Sequence, residues 1–231
     1  VYSICRRLLR GRLPGQAVIQ ITDQCNATCC QCGMSKENHF ARHSLDLETV
    51  ERILDTVSHL GMHAVSFTGG EPLLHFERLT AMIRAAKKRG IKYIRTGTNG
   101  FIFRDHTALD FSDRMKRTAE ALLESGIRNF WISLDSCDPK IHEANRGLPG
   151  VVAGMAKALP IFHRQGLYPS VNLGINRLCG GDLPELAHAN DPHAFYQGFT
   201  TAFTRFFNTA VDMGFTIANC CYPMSQEDGT V

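Results

Sequence analysis

Apolar positions along the chain switch repeatedly between a two-residue and a three-to-four-residue period, which predicts strands and helices in alternation. Residues 17–22 are β-branched and mostly apolar, bounded by Pro14-Gly15 and Asp23, and predict a first strand. Ser44-Leu45-Asp46 then opens a run with Leu47, Val50, Ile53, Leu54, Val57 and Leu60 at helical spacing, closed by Gly61. A second strand over 64–67 runs into Thr68-Gly69-Gly70-Glu71-Pro72. After Phe76, Leu79, Met82, Ile83 and Ala86 mark a helix ending at Gly90. The third strand, 91–96, ends in Gly97-Thr98-Asn99-Gly100. A helix near 115–124 leads to a fourth strand over 129–135. A helix over 151–165 follows, with Val152, Met155, Ala158 and Leu159 inside. A fifth strand is predicted over 170–176, a long helix near 195–213, and a short sixth strand over 215–219.

This order predicts an α/β fold with a parallel sheet and right-handed crossovers. Six βα units are too few to close an eight-stranded barrel, and polar residues at the C-terminal strand ends then face one mouth. Thr98 and Asn99, Ser133 and Asp135, and Asn172 and Asn176 hold such positions, where each also serves as an ordinary turn or cap residue. There is no repeat, low-complexity tract or interdomain linker. The expected organisation is a basic lead-in over 1–14, one domain over 15–224 and a polar tail over 225–231. The sixth strand lacks a following helix, which fits a chain cut short.

Composition narrows the class. The length of 231 residues suits one domain with a substantial core. A net charge of +3 gives no reason to expect a nucleic-acid partner, and Arg6, Arg7, Arg10 and Arg12 read as a solvated face of the lead-in. No apolar run reaches ~18 residues, so no membrane span is expected. No apolar stretch follows the early arginines as a signal peptide would require. Nine cysteines without a secretion signal point to a reducing, cytoplasmic compartment and metal chemistry.

Cys25, Cys29 and Cys32 form a C-x3-C-x2-C loop directly after the first strand. Three thiolates can hold three irons of a 4Fe-4S cluster and leave the fourth open, whereas a closed structural metal site needs four protein ligands. An open iron can be chelated by the amino and carboxylate groups of an amino acid, such as the methionine end of S-adenosylmethionine (SAM). The amino group then needs acceptors. Gly69 and Gly70 let backbone approach and allow φ > 0, Glu71 offers a carboxylate, and Pro72 ends strand pairing. The same four residues also make a plain strand-to-helix turn.

Together, the cysteine loop and Gly69-Gly70-Glu71-Pro72, each at its strand end, resemble the radical SAM superfamily. The resemblance runs from about Val18 to Asn219. It implies a partial (β/α)6 TIM-like barrel, a 4Fe-4S cluster on Cys25, Cys29 and Cys32, and SAM bound by Gly69, Gly70, Glu71, Pro72, Thr98, Asn99, Ser133, Arg146 and Asn172. Residues 132–136, His142 and Arg146-Gly147 resemble the branch of molybdenum-cofactor, quinone-cofactor, haem-modifying and peptide-maturase enzymes. There the Ser and Arg, carried over as Ser133 and Arg146, contact the ribose and carboxylate of SAM, a match to the fork of Arg146. His142 reads either as a loop cap or as a catalytic group.

The implied activity is reductive cleavage of SAM to a 5′-deoxyadenosyl radical, which takes hydrogen from a cofactor precursor, tetrapyrrole or peptide. Flavodoxin or ferredoxin is the implied electron donor. The alternatives are a glycyl-radical-enzyme activase within the family and, outside it, a zinc-binding regulatory protein using the three cysteines with His39 or His43. Two features depart from the pattern. Gln31 stands where an aromatic residue is frequent, and Cys30 is an extra thiol read as a spectator. Cys220 and Cys221 read as a thiol pair near the substrate or as ligands of an auxiliary site. Cys5, Cys137 and Cys179 are isolated thiols.

Overall fold

The structure is a computed structural model and describes residues 15–33, 41–182 and 191–221. The lead-in, His39, Cys5, Tyr222-Pro223-Met224 and the tail lie outside the described residues.

Six strands form one parallel sheet in strict sequence order: β1 (Ala17–Thr22), β2 (Ala64–Gly69), β3 (Tyr93–Thr98), β4 (Asn129–Leu134), β5 (Ser170–Gly174) and β6 (Ile217–Cys221). Between them run α1 (Leu47–His59), α2 (Phe76–Lys88), α3 (Phe111–Ser125), α4 (Pro139–Arg146), α5 (Val151–Arg164) and α6 (Pro192–Asp212). Most predicted elements stand within a few residues of their positions. β3 begins two residues late, because Ile91 N–H is spent on the Ala86 carbonyl at the end of α2. β6 is likewise displaced two residues toward the C-terminus. Asn176 lies beyond β5, and its side chain instead bonds the Asp135 and Gly174 carbonyls. α4 was not expected from periodicity.

Each strand presents alternate residues to opposite faces. Ile19, Ile21, Val65, Phe67, Ile94, Phe130, Ile132, Leu134, Val171 and Leu173 face the helices and are buried. They meet Val50, Leu54 and Val57 of α1, Leu79, Met82 and Ile83 of α2, Met115 and Leu122 of α3, and Met155, Leu159 and Phe162 of α5 in one contiguous core. The other face is polar: Gln20, Ser66, Arg95, Asn129, Ser133 and Asn172 look into the bore of an open, barrel-like sheet. No helix among the described residues is long and apolar enough to cross a membrane.

Candidate active site at the strand ends

The turn after β2 is built against the root of the cysteine loop. Gly70 N–H donates to the Thr22 carbonyl and Glu71 N–H to the Gln24 carbonyl, each at 2.8 Å. Gly69 has φ +138°, and a Cβ there would collide with the Thr22 carbonyl oxygen; one at Gly70 would collide with that of Gln24. The close approach that demands two glycines is therefore supplied by the loop's own backbone as well as by any ligand.

Glu71 is buried. Its Oε1 accepts from Leu73 N–H at 3.0 Å, capping the short 3-10 helix Pro72–His75, and its Oε2 accepts from Asn99 N–H at 2.6 Å. Burial pushes its carboxyl up to about 7, against the pull of these hydrogen bonds.

Asn99 joins this turn to the cysteines. Its Nδ2 donates to Asn26 Oδ1 at 3.0 Å and to Cys25 Sγ at 3.6 Å, while its Oδ1 accepts from Phe101 N–H. The far side of the loop is docked on the end of α4. Thr28 N–H donates to the Arg146 carbonyl at 2.9 Å, and a Cβ at Gly147 (φ +65°) would strike Thr28 Oγ1.

Arg146 grips Asp135 with two bonds of 2.7 Å, from Nε and Nη2. Burial opposes the Arg146 charge, but Asp135, helped by Cys29 and Glu71, holds its guanidinium above its ordinary pKa. Gln31 Nε2 also reaches Asp135, at 3.4 Å, so the departure at that position puts an amide onto this pair. His142 is fully buried and accepts from Asp135 N–H through Nδ1 at 3.1 Å. The proton then sits on Nε2, which has no partner among the described residues. Burial, with the nearby Arg146 charge, pushes this imidazole down to about 4. It is a neutral support for Asp135 rather than a proton carrier near neutrality.

The donor set fits a cluster. Burial pushes the Cys29 thiol up to about 11, with Arg146 opposing and Asp135, Cys32 and Cys25 adding to the rise. A cationic iron–sulfur cluster would offset that burial cost by taking the sulfur as thiolate, one per iron. No three His, Cys, Asp or Glu side chains among the described residues converge on a single-ion site, and His39 of the zinc alternative lies outside those residues.

Beside the loop lies a recess of about 150 Å³. Thr68, Gly69, Gly70, Glu71 and Pro72 form one wall, Gly97, Thr98 and Asn99 the floor, and Trp131, Ser133 and Arg146 the opposite side. Eight of the nine residues expected at a SAM site thus share one cavity. Asn172 is outside it, paired in register with Ser133 and accepting from Cys221 Sγ at 3.2 Å.

The family model described as the radical SAM superfamily matches residues 19–176. The chain belongs to the radical SAM superfamily. Radical SAM enzymes use a 4Fe-4S cluster and SAM. Among relatives, the GTP 3′,8-cyclase of Shewanella denitrificans is 30% identical over 177 residues, covering 74% of this chain and 48% of that protein. That of Alkaliphilus oremlandii is 34% identical over 158 residues, covering 65% and 44%. The chain spans about half the length of the curated relatives it matches. Among solved structures, native anSMEcpe with bound AdoMet has a TM-score of 0.65 at 17% identity, covering 94% of this chain and 55% of that one. Streptococcus suis SuiB bound to precursor peptide SuiA has a TM-score of 0.66 at 18% identity, covering 97% and 43%. At these identities the likeness is one of fold, the radical SAM partial barrel.

Sequence reading missed three features of the recess and its surroundings: Trp131 as a wall, Gly97 as the space its indole fills, and Asp135 as the partner of Arg146. The signal for Trp131 was strand parity, since it shares the face of Ser133.

Proposed function

We propose that Cys25, Cys29 and Cys32 hold the 4Fe-4S cluster and that the adjoining recess takes SAM, whose reductive cleavage starts hydrogen abstraction from a substrate in the bore. The observation that carries this reading is the continuity of loop and recess: Asn99 lines the recess and donates to Cys25 Sγ. The chemistry that the cluster supplies when bound is one-electron reduction of the sulfonium. The chain positions the reactants. Gly69 and Gly70 present main chain without side chains to the amino end of SAM. Glu71 is spent on Leu73 and Asn99 N–H groups, so it shapes the wall. Arg146 uses Nε and Nη2 on Asp135, which leaves Nη1 to bind the SAM carboxylate. Ser133, lining the recess, would meet the ribose of bound SAM, and the Trp131 ring would help exclude water there.

The substrate class is a cofactor precursor, tetrapyrrole or peptide. The GTP 3′,8-cyclase relatives make GTP the first compound to assay and favour the cofactor branch over an activase. Flavodoxin or ferredoxin is the proposed electron donor. Anaerobic reconstitution tests the reading: the chain should take up iron with acid-labile sulfide and show broad visible absorption, and C25A/C29A/C32A should lose it. A full cluster in that triple variant, or zinc alone in the unaltered chain, would overturn the assignment.

A further inference from the structure

We infer that the bore beneath the recess is an oxyanion subsite for the substrate, with Arg95 as its anchor and Trp131 as its wall. The inference rests on the radical SAM reading of the recess above it. Register sets Val18, Ser66, Arg95 and Asn129 side by side on four neighbouring strands. Their immediate neighbours Ile19, Val65, Ile94 and Phe130 are buried against the helices, so alternation turns this row into the bore. Along the row exposure falls off from the edge strand inward: Val18 is 64% exposed, Ser66 is buried, and Arg95 and Asn129 are half-buried.

The guanidinium carbon of Arg95 lies 5.5 Å from the centroid of the Trp131 ring, and its Nε makes one long bond, 3.4 Å, to Asn129 Oδ1. No described carboxylate pairs with it. The acids at the mouth are already committed, Asp135 to Arg146 and Glu71 to backbone N–H groups. The remaining neighbours are neutral: Ser66 accepts from Gln16, and Asn129 donates to Ser170.

A half-buried cation set among amides and hydroxyls, with donors to spare, is matched by a phosphate or carboxylate. Stacking restrains the guanidinium, and Trp131 is itself seated where Gly97 lacks a side chain, so the anchor is pre-organised. The substrate class is therefore an anion-bearing small molecule or an acidic peptide group, held by its charged end below the SAM recess.

Trp131 is the single tryptophan of the chain, so its fluorescence reports on this place alone. The test titrates the reconstituted, SAM-loaded protein with inorganic pyrophosphate and, in a parallel arm, with succinate. A saturable change in emission is expected in at least one arm, and the arm that responds identifies phosphate or carboxylate as the anchored group. R95Q, and R95M, which keeps the aliphatic stem against Trp131, should weaken the response by about tenfold or more. No saturable change in either arm, or unchanged midpoints in a variant with intact cluster absorbance, would overturn the subsite. Cluster absorbance and SAM cleavage by the unaltered chain score the superfamily reading separately. A chain that cleaves SAM but ignores both anions refutes only the subsite. An anion response without a cluster upholds the subsite and refutes the cluster assignment.

Discussion

Glu71 and His142 are both buried at the mouth, and each is held away from its ordinary protonation, in opposite directions. The Glu71 carboxyl rises from 4.5 to about 7 on burial. Between those values the folded chain keeps a proton that the unfolded chain releases, so this group's contribution to stability falls as pH rises. The His142 imidazole drops from 6.5 to about 4. Between those values the unfolded chain takes a proton that the folded chain refuses, so stability falls as pH drops. The two effects oppose each other over most of their windows and flatten the profile. E71Q should therefore gain melting temperature relative to the unaltered chain as pH rises from 4.5 to about 7. H142N, which keeps an acceptor for Asp135 N–H, should lose less on acidification; melting curves across pH check both. Glu71 was legible in the sequence as part of a motif, but its burial was not, because that depends on Asn99 arriving from β3. Asp135 stood out only as a strand-end acid. Its pairing with Arg146 depends on a helix that periodicity did not reveal.

That helix, α4, shows what local patterning misses. Its eight residues bury only His142 fully, too little for an apolar stripe. Its ends were nonetheless written in the chain. Asp138 accepts from Lys140 N–H as N-cap, Pro139 opens the first turn, and Gly147 closes the helix at φ +65°. β1, β2 and the helices α1, α2 and α5 were legible because each buries a whole face. α4 is instead a bracket, and its C-terminal end supports Thr28 of the cysteine loop. G147A puts a Cβ against Thr28 Oγ1 and a side chain in the left-handed region, a cost of about 1–3 kcal/mol concentrated at this joint. The reconstituted variant should lose cluster absorbance to a chelator faster than the unaltered chain. Equal loss rates would show that α4 does not secure the loop.

Across the whole molecule, the sheet divides labour between its faces: helices seal one, and polar side chains line the other, which opens on the recess. The fold class was legible because a one-way alternation of strands and helices has few parallel solutions. The polar bore was less so, since it depends on which parity faces inward. Cys220 and Cys221 close β6, at the opposite edge of the sheet from β1, and Cys221 donates to Asn172 Oδ1. Neither is expected to hold the SAM cluster. C220A/C221A should keep the iron content of the unaltered chain and still release 5′-deoxyadenosine under dithionite; loss of about four irons per chain would reveal a second cluster. The docking of the cysteine loop has a last consequence, one of time. Its root is pinned by residues that follow β2, and its far side by a helix more than a hundred residues downstream. As the chain leaves the ribosome, the three thiols emerge long before the scaffold that shapes their loop, so iron–sulfur delivery belongs after the first four strands and α4 have folded.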